Sequence, residues 1–292
     1  MRRKRGFVLL NQGSLVKKLR LERRISQEKL CQGITSRSTL SSFEIRNTNL
    51  SSQSLFKYLD RMNITPHEFE LLLNQNEYNQ KKIDSQDFHQ YFYNDKLSSD
   101  LLENTLKKYK ETGDFFYYSM YTQGLLLKNR EDFTKKKTKY KPFVREIQNY
   151  LFRVETWGKF ELNMFSNLLF IFTEETVNSY LDTELNKALM YSNDPLYTNL
   201  LTVAILNGCT YASEKKNIKL LSRFLNMLKS MPKNPSYFYL RAHLGFYEEI
   251  LKFLKTGALN STKLRETLDF FEANEYSNHK NDLEDLIVTI IE

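Results

Sequence analysis

The sequence predicts an all-α protein, an N-terminal helix-turn-helix domain followed by a tetratricopeptide-like α-helical repeat domain. Three observations carry that expectation. Glycine (9) and proline (5) are scarce among 292 residues, which leaves few places for hairpin turns and many for helices. Apolar residues recur at helical spacing along most of the chain. A hydrophobic content of 41%, with 14% aromatic, is enough for a sizeable core and lies far from the composition of disordered chains.

Charge divides the chain. The net charge is +8, and residues 1–80 hold 14 Lys and Arg against 7 Asp and Glu, while the remainder holds 29 against 28. A small basic unit beside a large near-neutral one points to nucleic-acid contact by the first and a different task for the second. The expected boundaries are 1–70 for the helix-turn-helix domain, 71–84 for a linker helix and 85–292 for the repeat domain. The opening MRRKRGFVLL has only Phe7 to Leu10 as an apolar run, too short for a secretory segment and followed by no small-residue cleavage site. No stretch is long enough to cross a bilayer, so a cytoplasmic protein without a membrane partner is expected. Cys31 and Cys209 fall in different predicted domains, which argues against a structural disulfide. Cys31 reads as a small buried apolar residue and not as a redox switch.

The first domain is expected to hold five helices. Leu15 and Leu19, with Leu9 or Leu10 before them, mark the inner stripe of the first, and Lys17, Lys18, Arg20, Arg23 and Arg24 surround it. Ser26 offers an N-cap to a short second helix, with Gln27 and Glu28 in its first turn, Leu30 and Cys31 turned inward and Gly33 as its stop. Ile34 leads to a third helix capped near Thr35 or Ser36. Its Leu40 and Phe43 face the core, and Arg37, Ser38, Ser41 and Ser42 face out. Leu55, Phe56 and Leu59 supply the apolar repeat of the fourth. Thr65-Pro66-His67-Glu68 is a capping box with proline at the first helical position, followed by Phe69, Leu72 and Leu73.

Two short helices joined by a tight turn describe a helix-turn-helix, whose second helix enters the major groove. Arg37 is the base-reading candidate, because a guanidinium matches guanine O6 and N7. Ser38, Ser41 and Ser42 offer hydroxyls to bases and phosphates, and Lys17 a contact indifferent to sequence. Double-stranded DNA is therefore the first expected partner. Caps and solvated surface are the commoner use of such hydroxyls.

The runs SQEKL, GITSRSTLSSFE and LFKYLDRMNITPHEF resemble helix-turn-helix regulators of the XRE type and, more narrowly, the Rgg family of bacterial regulators. That resemblance implies Gln27 at the groove edge, and Arg37, Ser38 and Ser42 aimed at DNA. It also implies an internal ion pair of Arg20 with Glu44, tying the first helix to the end of the recognition helix. Two positions depart from the family. Arg46 stands where the family commonly has Gly, which adds a DNA-facing cation and moves any left-handed residue to Asn47. Ser42 stands where Lys is frequent, shifting discrimination toward DNA shape.

From residue 85 onward the sequence reads as one helix after another. Breaks are expected at Gly113-Asp114, the Lys135–Pro142 run, Trp157-Gly158, Asn193-Asp194-Pro195, Met231-Pro232, Pro235 and Gly257. Successive antiparallel pairs suggest a solenoid, with an irregular helical bundle as the alternative. LFRVETWGKFELNMFSN, Leu151 to Asn167, resembles the Rgg pattern around Trp-Gly-x-Phe/Tyr-Glu-Leu. By that resemblance the C-terminal domain binds a short secreted signalling peptide that has re-entered the cell and carries the homodimer contact. Arg153, one turn before Trp157, is the expected partner of a peptide carboxylate, and Asn167 of a peptide backbone. Surface pairing of Arg153 with Glu155 or Glu161 is the competing use. Trp157 itself reads as core. The aromatic runs Phe115–Tyr121 and Ser236–Leu240 read as core or as groove lining. At the chain end, Leu283, Leu286, Ile287, Ile290 and Ile291 either seal a homodimer or pack within their own chain.

Enzyme chemistry finds little support. His67, His89, His243 and His279 stand isolated in the sequence, with no second ligand at metal spacing and no phosphate loop. Glu248 and Glu249 beside His243 read as helix surface. No catalytic residue, metal or cofactor is expected. The sequence thus predicts a DNA-binding transcriptional regulator controlled by a short peptide. A helical-repeat adaptor with vestigial DNA binding is the alternative of another class, and an RNA-binding repeat protein is disfavoured because the basic excess lies outside the repeats.

Overall fold

The structure, a computed structural model, describes residues 11–74, 80–93, 98–259 and 261–292. Every regular element among them is helical. The chain divides into two compact units, Met1–Gln90 and Tyr91–Glu292.

In the first unit, α1 (Gln12–Glu22), α2 (Gln27–Cys31), α3 (Arg37–Arg46), α4 (Ser52–Arg61) and α5 (Pro66–Leu73) begin where local chemistry starts them. Asn11, Ser26, Ser36, Ser51 and Thr65 each accept a backbone N–H from the first turn of the helix that follows. Thr65 and Glu68 complete the reciprocal capping box. The core is Leu15, Val16 and Leu19 of α1 against Leu30, Leu40, Phe43, Tyr58, Leu59 and Phe69. Leu9 and Leu10 lie outside the described residues. Two expected core positions turn outward: Phe56 is 54% exposed and Leu72 45%. On α4 the inward side is Leu55, Tyr58 and Leu59, and Phe56 is turned about 100° from Leu55, away from it. On α5 the inward stripe runs from Phe69 to Leu73.

Next come α6 (Gln80–Tyr93), which contains the division, then α7 (Ser99–Thr112), α8 (Phe115–Lys128), α9 (Arg130–Lys135), α10 (Lys137–Arg153), α11 (Lys159–Asn167), α12 (Glu174–Tyr180) and α13 (Asn186–Leu189). The series closes with α14 (Pro195–Glu214), α15 (Ile218–Ser230), α16 (Phe238–Thr256), α17 (Ser261–Ala273) and α18 (Ser277–Ile291). Consecutive helices α7 with α8, and α14 through α18, pack on one another in order. Their short connections make them antiparallel neighbours, as in helical-repeat stacks. Left-handed Gly113 and Gly257 close α7 and α16.

The expected break over Lys135–Pro142 falls at Lys136, between α9 and α10, and does not extend to the proline. Only Lys136 interrupts the helices, and Pro142 lies inside α10. The missing amide removes one bond in the second turn, which the buried face of Tyr140, Ile147 and Leu151 offsets. A π-helical turn, Leu181–Leu185, joins α12 to α13.

Long α14 is the hub, touching α11, α15, α16 and α18. Its Gly208 admits the Phe224 ring of α15 so closely that an added Cβ would sit 2.2 Å from a ring carbon. Trp157 is core: it packs on Phe165 and Tyr180 with ring centroids 5.2 and 4.8 Å away, and its indole N–H donates to the Leu151 carbonyl. On α18, Leu283, Leu286 and Ile290 are buried in their own chain's core, and Val288 and Ile291 are the exposed apolar residues.

Candidate functional site

Two surfaces, one in each unit, carry the candidate functional residues. On the first, α3 presents two adjacent outward stripes at helical spacing, Arg37–Ser41–Ile45 and Ser38–Ser42–Arg46. Arg37, Ser38, Ile45 and Arg46 are exposed, and Ser41 and Ser42 half-buried. Arg37 and Arg46 form no ion pair or hydrogen bond among the described residues, and the Ser38 hydroxyl meets that of Ser36 at 2.8 Å. Ile45, 67% exposed, also lies on this face, a residue the sequence expectation does not include. Its place one turn beyond Ser41 is the signal, since an exposed aliphatic group here can meet a thymine methyl. Lys17 is exposed on α1.

The inner side of α3 explains why this face is held so firmly. Arg20 Nε and Nη2 donate to Glu44 Oε1 and Oε2 at 2.6 and 2.9 Å, and its Nη1 to the Ile25 carbonyl. This is the expected ion pair, in fork geometry and buried. Gln27 Nε2 donates to the same carboxylate at 2.8 Å, so Gln27 braces the start of α2 against α3. Arg61 of α4 donates one guanidinium nitrogen to the carbonyls of Lys29, Leu30 and Gln32 at 3.0, 2.8 and 2.7 Å. That satisfies the open C-terminal end of α2 at the tight turn. Thr35 and buried Tyr58 share a hydroxyl contact. Asn47 ends α3 at φ 52°, the left-handed residue expected after Arg46.

On the second unit, a cleft of about 440 Å³ is walled by α11, α14, α16 and α18. Its floor includes Leu127, Leu206 and Leu286, and its polar groups are Asn167, Asn207, Thr210, the Arg130–Glu214 pair, His243, His279 and Asp282. Asn207 Nδ2 donates to the carbonyl and hydroxyl of Ser166 at 3.2 and 2.9 Å, and Asn167 Nδ2 to Gln123 Oε1 at 2.9 Å. Both amide groups are thereby oriented, with no donor to their Oδ1 atoms among the described residues. Asn167 and Arg153 are not brought together. Arg153 is exposed at the end of α10, donates among the described residues only to the Asn149 carbonyl of its own helix, and is not part of the cleft lining. Neither Glu155 nor Glu161 pairs with it: Glu161 accepts instead from the Tyr150 hydroxyl and the Gly158 amide. The aromatic runs separate as well. Phe115 stacks on Tyr150 with centroids 4.2 Å apart in the core, whereas Tyr239 lines the cleft.

His243 and His279 are not isolated. They are 36 residues apart in sequence and meet Nε2 to Nε2 at 2.7 Å. His243 Nδ1 lies 2.7 Å from the Tyr239 carbonyl oxygen, which can only accept, so Nδ1 carries the proton and His243 Nε2 accepts from His279 Nε2–H. Burial pushes the His243 imidazole down to about 4, and also lowers His279 while the Asp282 charge opposes it. Nothing local in the sequence marks this pair, apart from the apolar residues sharing each helix face. Glu248 and Glu249 are engaged with Lys229 and Lys252. Among the described residues, no group of three His, Cys, Asp or Glu is placed to hold a metal ion. No described helix is long and apolar enough to cross a membrane. Cys31 and Cys209 are buried free thiols.

With this geometry in hand, comparison with known proteins gives a consistent result. Residues 74–285 match the family described as HTH-type transcriptional regulator Rgg, C-terminal domain. The chain is similar to the Streptococcus dysgalactiae SHP pheromone receptor Rgg2, with TM-score 0.73 and 17% identity over 94% of this chain and 99% of that one. It is similar to a Listeria monocytogenes EGD-e protein assigned as a transcriptional regulator, with TM-score 0.77 and 16% identity over 96% of each. A receptor in a bacterial peptide pheromone complex matches with TM-score 0.66 and 19% identity, over 96% of this chain and 98% of that one. At such identities these structures share the fold.

Proposed function

The chain belongs to the Rgg family of HTH-type transcriptional regulators, not to the enzymes, and from that premise we propose that it binds operator DNA through α3 and a short peptide in the cleft. It acts in the cytoplasm as a homodimer. The observation that carries the peptide half is the cleft itself: two braced side-chain amides, Asn167 and Asn207, with no donor to their Oδ1 atoms among the described residues, stand over an apolar floor. An extended peptide presents amide hydrogens at regular intervals and side chains between them, which this lining accommodates. Similarity to a pheromone receptor and to the receptor of a peptide pheromone complex supports the same reading. For the DNA half, the support is a basic unit whose exposed arginines on α3 have no partner among the described residues, on a helix fixed from behind. Peptide control follows if the peptide favours one arrangement of the dimer over another.

Capture of fragmented host DNA by the full chain, followed by sequencing, tests both halves when done with and without the short peptides the host exports. Enrichment of a common site, changed by a peptide and unchanged by that peptide in the Asn207→Ala variant, is the expected result. Capture of DNA without preference, together with no peptide binding by calorimetry, would replace this reading with that of a helical-repeat adaptor.

A further inference from the structure

The charges lining the cleft do not balance. Arg130 and Glu214 hold each other, with Arg130 Nη2 at 3.1 and 3.2 Å from the two carboxylate oxygens. The two histidines satisfy one another as neutral rings. The remaining charged group is Asp282, which has no ion pair among the described residues. It lies one turn beyond His279 on α18, while the neighbouring Leu283 turns into the core. Tyr239 of α16 lines the same cleft, is 48% exposed and has its ring centroid 5.7 Å from that of His279.

We propose that this part of the cleft is a subsite for a ligand cation, the N-terminal ammonium of a peptide or a Lys or Arg side chain, bound between the Asp282 carboxylate and the Tyr239 ring. The inference rests on the reading of the cleft as a peptide site and adds the charge and orientation of what enters it. A carboxylate and an aromatic ring lining one cleft favour an ammonium or guanidinium over any neutral group. A ligand carboxylate is repelled there. The histidine pair contributes by remaining neutral. His243 is fixed as an acceptor by its own bond to the Tyr239 carbonyl, so His279 spends its Nε2 proton inside the pair and offers Asp282 no charge of its own. The carboxylate therefore stays uncompensated until the ligand arrives.

The test uses the full chain and two pools of randomised eight-residue peptides built from Leu, Ile, Val, Phe and Gly. One pool has a free amino terminus and one Lys; the other is acetylated and has norleucine in place of that Lys. Equilibrium dialysis read by mass spectrometry should show the cationic pool retained about tenfold better, against the trend expected of a chain with a net charge of +8. Asp282 is exposed, so Asp282→Asn should leave the circular dichroism spectrum unchanged, bring the cationic pool down to the level of the acetylated one, and leave the latter as it was. Asp282→Lys should reverse the preference. Equal retention of both pools, or a preference that survives Asp282→Asn, overturns the cation subsite while the peptide reading stands. Retention of neither pool overturns both.

Discussion

The backbone amide of Gly13 donates to Asn47 Oδ1 at 3.1 Å, and a Cβ added to Gly13 would lie 1.9 Å from the carbonyl oxygen of Phe43. The start of α1 thus touches the end of α3 backbone to backbone, and the residue that closes α3 in the left-handed conformation also caps α1. Gly13→Ala should force the two helices apart and destabilise the first unit by at least about 1–3 kcal/mol. Asn47→Gly, which keeps the left-handed turn but loses the acceptor, should cost about 1 kcal/mol. Urea unfolding followed by circular dichroism should rank Gly13→Ala above Asn47→Gly; equal midpoints for the two would show that the close approach is not constraining.

Breaking the buried fork should cost more. Glu44→Ala strands the Arg20 guanidinium, 6% exposed, without its counter-charge, and a loss of about 3–5 kcal/mol is expected. Gln27→Ala removes one bond to the same carboxylate and should cost about 1 kcal/mol. If Glu44→Ala unfolds at the same urea concentration as the parent, the pair is not holding α3.

Arginine and lysine on this unit should behave differently toward DNA. Arg37→Ala is expected to cost about 1–3 kcal/mol at the preferred operator and to flatten preference at one base pair, whereas Lys17→Ala should weaken all sequences alike. Ile45→Ser should relax preference at a thymine. Binding isotherms on operator and scrambled duplexes decide this, and equal losses on both for Arg37→Ala count against base reading.

Acid should destabilise the second unit through His243. Its folded value, about 4, lies below the ordinary 6.5, so the unfolded chain binds the extra proton. The stability this neutral ring contributes is complete above about 6.5 and is lost as pH falls toward 4, up to about 3 kcal/mol. His243→Leu should flatten the unfolding free energy of the second unit over that window. An unchanged slope in the variant would mean that other groups govern the acid transition.

Much of the fold is legible in sequence because its signals are local. Ser26, Ser36 and the Thr65–Glu68 box sit within one turn of the amides they cap, and Gly113 and Gly257 end helices through their own φ. Phe56 and Leu72 mislead because the choice of buried face is made by neighbouring helices, which periodicity alone does not orient. Pro142 misleads because an apolar face overrides one lost amide bond. Asn207 was not singled out at all: its partner Ser166 is 41 residues away. The histidine pair and the separation of Arg153 from the cleft are likewise products of tertiary packing. The Arg20–Glu44 pair is legible in the sequence only through resemblance to a family.

The bonds that hold α3 in place come from Gly13, Arg20, Gln27, Glu44 and Asn47, and those that shape the preceding turn from Arg61. Arg37, Ser41, Ser42 and Arg46 take no share of that load among the described residues. Mutation can therefore rewrite the outward stripes at little cost to stability, and under the proposed DNA reading duplicated genes built on this scaffold can drift apart in target while each product still folds. A grafted set of five or six outward residues should suffice to move one copy onto another's operator.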